Sequence, residues 1–311
     1  MVSRILTITP NPSLDVSGFV TQLKPNEKTY VTDEARAPGG NAINVARILR
    51  RLGVPVVASG FLGGSVGNEV ALLLDEEQVP RDFIKCQEST RINITVSNNR
   101  DHQQTRLSFP GPHVSRSEIQ KLVALIAKHR GVKFLVVGGS LPQQFHIDDL
   151  NKLIERAQNA KMAVVVDSPG NILKRLKIDR LLLIKPNLDE FQALTNSRAK
   201  SISAVKKIAK KYLKKSAYVC VSSVEGGALL VSDSGAYFGR IPSIRIRSTV
   251  GAGDSMVAGM VAQVSSGNLD AADILRWGLA ASAATLSKAG TTLGEARQIK
   301  RFYKRIKISE V

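Results

Sequence analysis

Asp254 follows two glycines that flank an alanine, in the run Thr249-Val250-Gly251-Ala252-Gly253-Asp254-Ser255, and apolar residues with helical periodicity come directly after it. Small residues at a helix start let backbone N–H groups converge, and the helix dipole adds positive character there. Such a place suits a phosphoryl group carrying developing charge. A carboxylate beside it can take a proton from a hydroxyl. The same residues also fit a plain glycine turn with Asp254 opening the helix. A dinucleotide-binding loop fits poorly, because Met256 stands where the third glycine of GxGxxG belongs. No GxxxxGK[ST] occurs anywhere in the chain.

A second glycine-rich run, Pro38-Gly39-Gly40-Asn41-Ala42-Ile43-Asn44-Val45-Ala46, also opens a helical pattern. Its glycines allow close backbone approach to a ligand, and the Asn44 amide offers both a donor and an acceptor to sugar hydroxyls. A glycine turn with a capping asparagine is the competing explanation. Gly63-Gly64-Ser65-Val66-Gly67 matches the GxSxG nucleophile elbow, but no HGGG oxyanion loop occurs and His102, His113, His129 and His146 sit in unremarkable surroundings. HExxH and clustered histidines are absent as well, so metal-dependent hydrolysis has no support.

The elements that must carry these loops alternate. Strands are expected at Arg4–Thr9, Val56–Phe61, Phe134–Val137, Ala163–Asp167, Leu181–Ile184 and Ala217–Val221, all short runs rich in Val, Leu and Ile. Such runs suit parallel strands covered on both faces. Helical patterns fall at Ala42–Leu52, Val66–Glu77, Ile147–Ala157, Asp254–Val264, Ala271–Leu286 and Arg297–Ile306. The order predicts an α/β fold, a doubly wound, mainly parallel sheet flanked by helices. Two polar, β-prone stretches interrupt it, residues 16–37 and 91–109. They are expected to pair into a small inserted β-sheet that covers a site or forms an interface. No linker or repeat divides the 311 residues, so a single domain is expected.

Composition narrows the class further. The formal net charge is +18, with +3 in residues 1–150 and +15 in the rest. Residues 198–215 hold eight bases and residues 297–307 hold six, and neither segment holds an acid. In the first, Lys206, Lys207, Lys210, Lys211, Lys214 and Lys215 share one helical face, opposite Val205, Ile208, Ala209 and Tyr212. A solvated amphipathic helix explains this pattern. A non-catalytic protein that binds nucleic acid or another polyanion is the alternative of another class, although aromatic interleaving is sparse and nucleic acid is not the expected partner. The two cysteines, Cys86 and Cys220, have no ligand or framework spacing, which suits a reducing, cytoplasmic setting. No signal peptide is read at the amino terminus and no apolar stretch is long enough to span a bilayer.

Taken in order along nearly the whole chain, these segments resemble the ribokinase-like (PfkB) family of sugar kinases. Asn11-Pro12-Ser13-Leu14-Asp15 is similar to its substrate segment, Pro38–Ala46 to its first signature and Ser248–Ser255 to its second. Gly138-Gly139-Ser140-Leu141-Pro142, Lys185-Pro186-Asn187 with Glu190, and Val221-Ser222 through Gly227-Ala228 follow at the expected places. The branch it resembles most phosphorylates phosphosugars: 6-phosphofructokinase, 1-phosphofructokinase and tagatose-6-phosphate kinase. The resemblance implies ATP-dependent phosphorylation of a sugar phosphate, first of all fructose-6-phosphate. It implies Asp254 as base, with the N–H groups of Gly251, Ala252 and Gly253 as anion hole. It gives Asp15, Gly39, Gly40, Asn44 and Ser140 to the sugar, and Lys28 and Arg91 to the phosphate already on it. Lys185, Asn187, Ser222 and Gly227 would border ATP, and Glu190 with Asn187 would act on a Mg²⁺ shell through water. Asn187 and Glu190 equally fit a helix-capping pair. A homodimer through the lid is implied too, and a monovalent cation is possible in the family, although Ser248 stands where many members carry Asp. Val224 replaces a usual glycine of the nucleotide loop, so that loop is expected to bend differently or to displace the nucleotide. Tyr30 stands where some phosphofructokinases carry a base.

Overall fold

The computed structural model describes residues 4–100 and 103–311, and His102 lies outside the described residues. In chain order the elements are β1 (Ile5–Thr9), β2 (Ser13–Val20), β3 (Thr32–Gly39), α1 (Asn41–Arg51), β4 (Val56–Leu62), α2 (Gly64–Glu76), β5 (Ile84–Lys85), β6 (Arg91–Asn98) and β7 (Gln104–Ser108). There follow α3 (Arg116–Lys128), β8 (Phe134–Gly138), α4 (Ile147–Asn159), β9 (Ala163–Asp167), α5 (Gly170–Arg175), β10 (Leu181–Ile184), α6 (Leu188–Thr195), α7 (Ile202–Ala209), β11 (Ser216–Val224), β12 (Gly227–Ser232) and β13 (Gly235–Gly239). The chain closes with α8 (Ala252–Ser265), α9 (Ala271–Leu286), α10 (Ala296–Tyr303) and β14 (Ile308–Glu310).

The large sheet runs β14-β13-β12-β11-β10-β9-β8-β1-β4-β5. It is parallel from β5 to β11 and antiparallel from β11 to β14. Alternate residues of one strand serve opposite faces. Thus Ile5 packs with α1, α8 and α9, whereas Leu6 and Ile8 pack with α3 and α4. Val136 divides from Leu135 and Val137 in the same way, as does Cys220 from Val219 and Val221. Both faces are therefore covered, as the apolar strand runs predicted.

A second sheet of order β3-β2-β6-β7 is formed from the two polar stretches. Its β2–β3 hairpin begins at Ser13 and ends at Gly39, so it takes in Ser13–Asp15 on one side and the start of the first glycine-rich run on the other. Strands β2 and β6 are parallel, which sets Asp15 beside Asn93 and Ser13 beside Arg91. The basic segment 198–215 is not one helix: α7 ends at Ala209 and the chain tightens into a 3₁₀ turn over Lys210–Lys214. The last helix likewise stops at Tyr303, short of Ile306. Helix α3 and the antiparallel edge β12–β14 were not legible as elements in the sequence. The α3 start is nonetheless well signed, since Ser115 and Glu118 form a reciprocal capping box.

Helices α8 and α9 pack closely because small residues face each other. A Cβ on Gly259 would meet the Trp277 carbonyl oxygen at 2.4 Å, and one on Gly278 would meet Met260 at 2.8 Å. Helix α8 carries Asp254, so this packing also fixes the site. Substituting Gly259→Ala should lower stability by about 1–2 kcal/mol, because the overpacking cost exceeds the ~1 kcal/mol gain in helix propensity. An unchanged or raised midpoint in urea unfolding would contradict that.

Candidate active site

The site lies beyond the carboxyl ends of the parallel strands, where an open α/β sheet leaves a crevice. Residues just past β1, β8, β9 and β10 meet there with the amino-terminal ends of α1 and α8. Helix α8 starts from Gly251, which adopts a left-handed φ of 72°. A side chain there would be strained, and its Cβ would also strike Leu293 at 2.5 Å. The turn leaves the Gly251 and Gly253 N–H groups without a backbone acceptor among the described residues, as helix starts do. Ala252 differs from expectation, since its N–H is loosely engaged by the Thr249 carbonyl at 3.4 Å.

Asp254 occupies the first turn of α8 and is only 9% exposed. Its Oδ2 accepts a hydrogen bond from Asn44 Nδ2 at 2.8 Å. Burial, followed by the charge of Asp167, pushes its pKa up to about 7, against the opposing pull of the Asn44 bond and Lys185. Lys185 is buried just past β10, with Nζ 3.3 Å from Asp167 Oδ1. Burial alone would favour its neutral form, but the charges of Asp167, Cys220, Asp254 and Glu190 outweigh this and raise its pKa. A Cβ on Gly253 would lie 3.3 Å from Lys185 Nζ, so the ammonium stands beside the glycine turn. Asp167, at the end of β9, was missed by sequence reasoning. Its signal was present, an acid ending an otherwise apolar strand.

The residues that the resemblance gives to the sugar form a second group. Asp15 Oδ1 accepts from Ser13 Oγ at 2.7 Å and from Asn93 Nδ2 at 3.0 Å. Its carboxyl occupies the space that a side chain on Gly39 would fill, with contacts of 2.3–2.5 Å for a Cβ there. Asn11 donates to Ser140 Oγ at 3.1 Å, which sets Ser140 near the Asp15 strand. Among the described residues the carbonyl oxygens of the Asn11 and Asn93 side chains are buried without a partner, as acceptors awaiting a donor would be. Asn93 is a further residue that the sequence did not single out.

Arg91 sits nearby, but its guanidinium is turned onto main-chain carbonyls of Asn11 (3.1 Å), Pro12 (3.4 Å) and Phe109 (3.1 Å). Two of its five N–H groups remain for a ligand. Lys28 is not brought into this group. It is exposed, with its ammonium 4.8 Å above the Tyr30 ring. Arg106, on β7, was not anticipated: it donates to Thr249 Oγ1 at 2.7 Å and so joins the small sheet to the α8 turn.

Lys185, Asn187, Ser222, Gly227, Ala252 and Gly253 line one cavity of about 490 Å³. Asn187 and Ser222 pair as a β-bridge, and Ser222 N–H donates to the Pro186 carbonyl at 3.1 Å. Asn187 and Glu190 form a reciprocal capping box on α6. Val224 keeps an ordinary φ and is buried. The left-handed conformations of this loop fall on Ser223, Glu225 and Gly226. The GxSxG run begins α2, and the described histidines are engaged elsewhere: His113 with Glu88, His129 with Asp82, and His146 as a helix cap.

Because the raised pKa of Asp254 means that the folded state binds its proton more tightly than the unfolded state, this residue costs stability as pH rises from about 4 through about 7. Asp254→Asn should therefore melt above the parent at pH 8, with the difference shrinking toward pH 4. Equal melting temperatures at pH 8 would contradict the burial of an ionised carboxyl.

The comparisons agree with this geometry. The pfkB family carbohydrate kinase profile matches residues 11–297. The chain is 34% identical over 293 residues to the ATP-dependent 6-phosphofructokinase isozyme 2 of Escherichia coli (strain K12), covering 93% of this chain and 94% of the relative. It is 30% identical over 310 residues to a 1-phosphofructokinase of Borreliella burgdorferi, covering 99% of each. The crystal structure of Escherichia coli phosphofructokinase-2 in complex with potassium superposes with a TM-score of 0.91 at 32% identity, over 97% of this chain and 99% of that one. Sequence signatures, fold and near-complete coverage thus coincide, and the chain belongs to the pfkB family of carbohydrate kinases, which use ATP to phosphorylate sugars.

Proposed function

We propose that the enzyme transfers the terminal phosphoryl group of ATP to a hydroxyl of a sugar phosphate, with fructose-6-phosphate as the first acceptor to consider. Fructose-1-phosphate and tagatose-6-phosphate are the alternatives. The observation that carries this reading is the 2.8 Å hydrogen bond from Asn44 to Asp254. It joins a residue suited to sugar hydroxyls with a buried carboxyl at an anion-binding helix start. A 1-phosphofructokinase and a 6-phosphofructokinase match at similar identity, which favours a phosphosugar without choosing between positions.

In this reading Asp15 and Asn44 hold the sugar so that one hydroxyl faces the free oxygen of Asp254. Asp254 takes its proton as the oxygen attacks the terminal phosphorus in line and the bond to ADP breaks. A pKa near 7 suits a base working at neutral pH. The Gly251 and Gly253 N–H groups and the Lys185 ammonium receive the charge on the transferred group. Mg²⁺ would be held chiefly by phosphates and water rather than by a cluster of protein ligands. Glu190, beside Asn187, is the carboxylate that would meet its hydration shell, and the ion would supply neutralising charge. A monovalent cation near Ser248 belongs to the same proposal, supported by the potassium complex of the Escherichia coli relative.

The small sheet serves as a lid over the sugar, over segments 16–37 and 91–109 of a single kinase domain. Arg91 would turn its remaining N–H groups toward the substrate phosphate. Leu23, Tyr30, Val31, Leu107 and Phe109 expose apolar surface on the lid segments, with Tyr30 73% exposed, which supports a homodimer formed there. Lys28 would then reach a cleft only across such an interface. Both cysteines are free and buried, which suits a cytoplasmic setting. Among the described residues no helix is long and apolar enough to cross a membrane.

Asp254→Asn should lower kcat by about a thousandfold while ATP still binds with parental affinity in calorimetry. Turnover near the parental rate would remove the base assignment. Arg91→Ala should raise KM for the best phosphosugar far more than for the corresponding free sugar in a coupled ADP-release assay. Equal changes for both would show that Arg91 only braces the Asn11–Pro12 carbonyls.

A further inference from the structure

Asn44 meets Asp254 through an amide whose two ends have nearly the same size, so something must decide which end faces the carboxylate. Arg47 lies one turn further along α1, on the same face. Its Nη1 donates to Asn44 Oδ1 at 3.1 Å and to the Pro38 carbonyl at 3.1 Å. Its Nε donates to Glu77 Oε1 at 2.9 Å, and Nη2 donates to the same oxygen. The Arg47 side chain is only 5% exposed. We propose that Arg47 is a positioning residue for phosphoryl transfer: it fixes the Asn44 amide with its NH₂ toward Asp254, and Glu77 holds Arg47 in place for that purpose. The proposal rests on Asp254 as the base.

The selection follows from donor and acceptor chemistry. A guanidinium has donors only, so it accepts nothing but the oxygen end of Asn44. With that end taken, the NH₂ end must face Asp254, where it meets an acceptor. The reversed amide would set NH₂ against the guanidinium and oxygen against the carboxylate, with both contacts repulsive. A cation this deeply buried needs a counter-charge, which Glu77 supplies. Burial would raise the pKa of Glu77, but the hydrogen bonds and charges of Arg47 and Arg51 outweigh it and hold the carboxyl below its ordinary range. Arg51 Nη2 reaches the other Glu77 oxygen at 3.1 Å, and Arg51 also binds the Leu293 carbonyl at 2.8 Å. Leu293 is the residue packed against the Gly251 turn. One ionic cluster therefore grips α1, the Pro38 carbonyl before the sugar-side glycines, and the segment behind the anion turn.

Without Arg47 the amide loses its selector. When its oxygen faces Asp254, the carboxyl is favoured in its protonated form and ceases to be a base until the pH is higher. The other charged groups facing Asp254 are Lys185 past β10, Asp167 on β9 and Asp15 on β2, and none of them changes in the test. The test compares the parent with Arg47→Met, Arg47→Lys and Glu77→Gln, reading kcat and kcat/KM across pH with ATP and the phosphosugar that gives most ADP. Arg47→Met should move the acid limb of kcat/KM upward by about one pH unit. It should cost about fivefold in kcat at pH 7 and recover most of this near pH 9, with KM for ATP unchanged. Arg47→Lys keeps a donor and should fall between. A merely structural role would lower kcat by one factor at every pH. An unmoved limb in Arg47→Met that melts cooperatively and binds ATP overturns the proposal. Should that variant not fold, Glu77→Gln carries the test: a limb moved upward by a smaller amount supports positioning, and an unmoved one overturns it. If Asp254→Asn itself retains turnover, the base reading has failed. If Asp254→Asn is inactive and the limb stays in place, only the positioning role has failed.

Discussion

A carboxylate taken out of water beside another carboxylate is held there by one amide hydrogen bond and one shared ammonium. Every other feature of the site follows from that arrangement at Asp254. The glycine that opens α8 takes a left-handed conformation and leaves no side chain over the first turn. Lys185 stands between two acids, and its charge is what lets both be buried at the ends of neighbouring structural elements. The arrangement costs stability, and natural folds carry such costs most often at functional sites.

The topology explains how residues 210 positions apart meet. β1 has β8 on one side and β4 on the other, so the loops after β1 and β8 leave the sheet next to the start of α1. Helix α8 packs across α1, and its first turn delivers Asp254 to Asn44. The small sheet then adds its own acid, Asp15, from a strand that starts only four residues after β1. Arg106 binds Thr249 from the same sheet, so the small sheet and the turn before α8 are physically linked. A displacement of that sheet would be felt at the turn.

The parallel strands and most helices were legible because apolar periodicity is strong where both faces of a sheet are covered. Asp254, Gly251, Gly253 and Asn44 were legible because glycines mark positions of close approach and few other residues suit them. Asp167, Asn93 and Arg106 were not. Each gets its place from register or packing between distant segments: Asn93 by pairing with Asp15, Asp167 by the depth of its strand end, Arg106 by the reach of β7. Local spacing carries no trace of such contacts. The 3₁₀ turn after Ala209 was also hidden, since a lysine face looks the same at either pitch over so few residues. Around Val224 the left-handed conformations fall on its neighbours Ser223, Glu225 and Gly226, a placement that local sequence does not give.

The most direct measurement is the titration of the Asp254 carboxyl itself. Carboxyl carbon NMR on protein labelled at aspartate, with Asp254→Asn as the subtraction that assigns the signal, gives its pKa without turnover. The account predicts one aspartate signal titrating near pH 7 that disappears in the variant. A signal assigned to Asp254 that titrates near pH 4, like an exposed aspartate, would contradict the account.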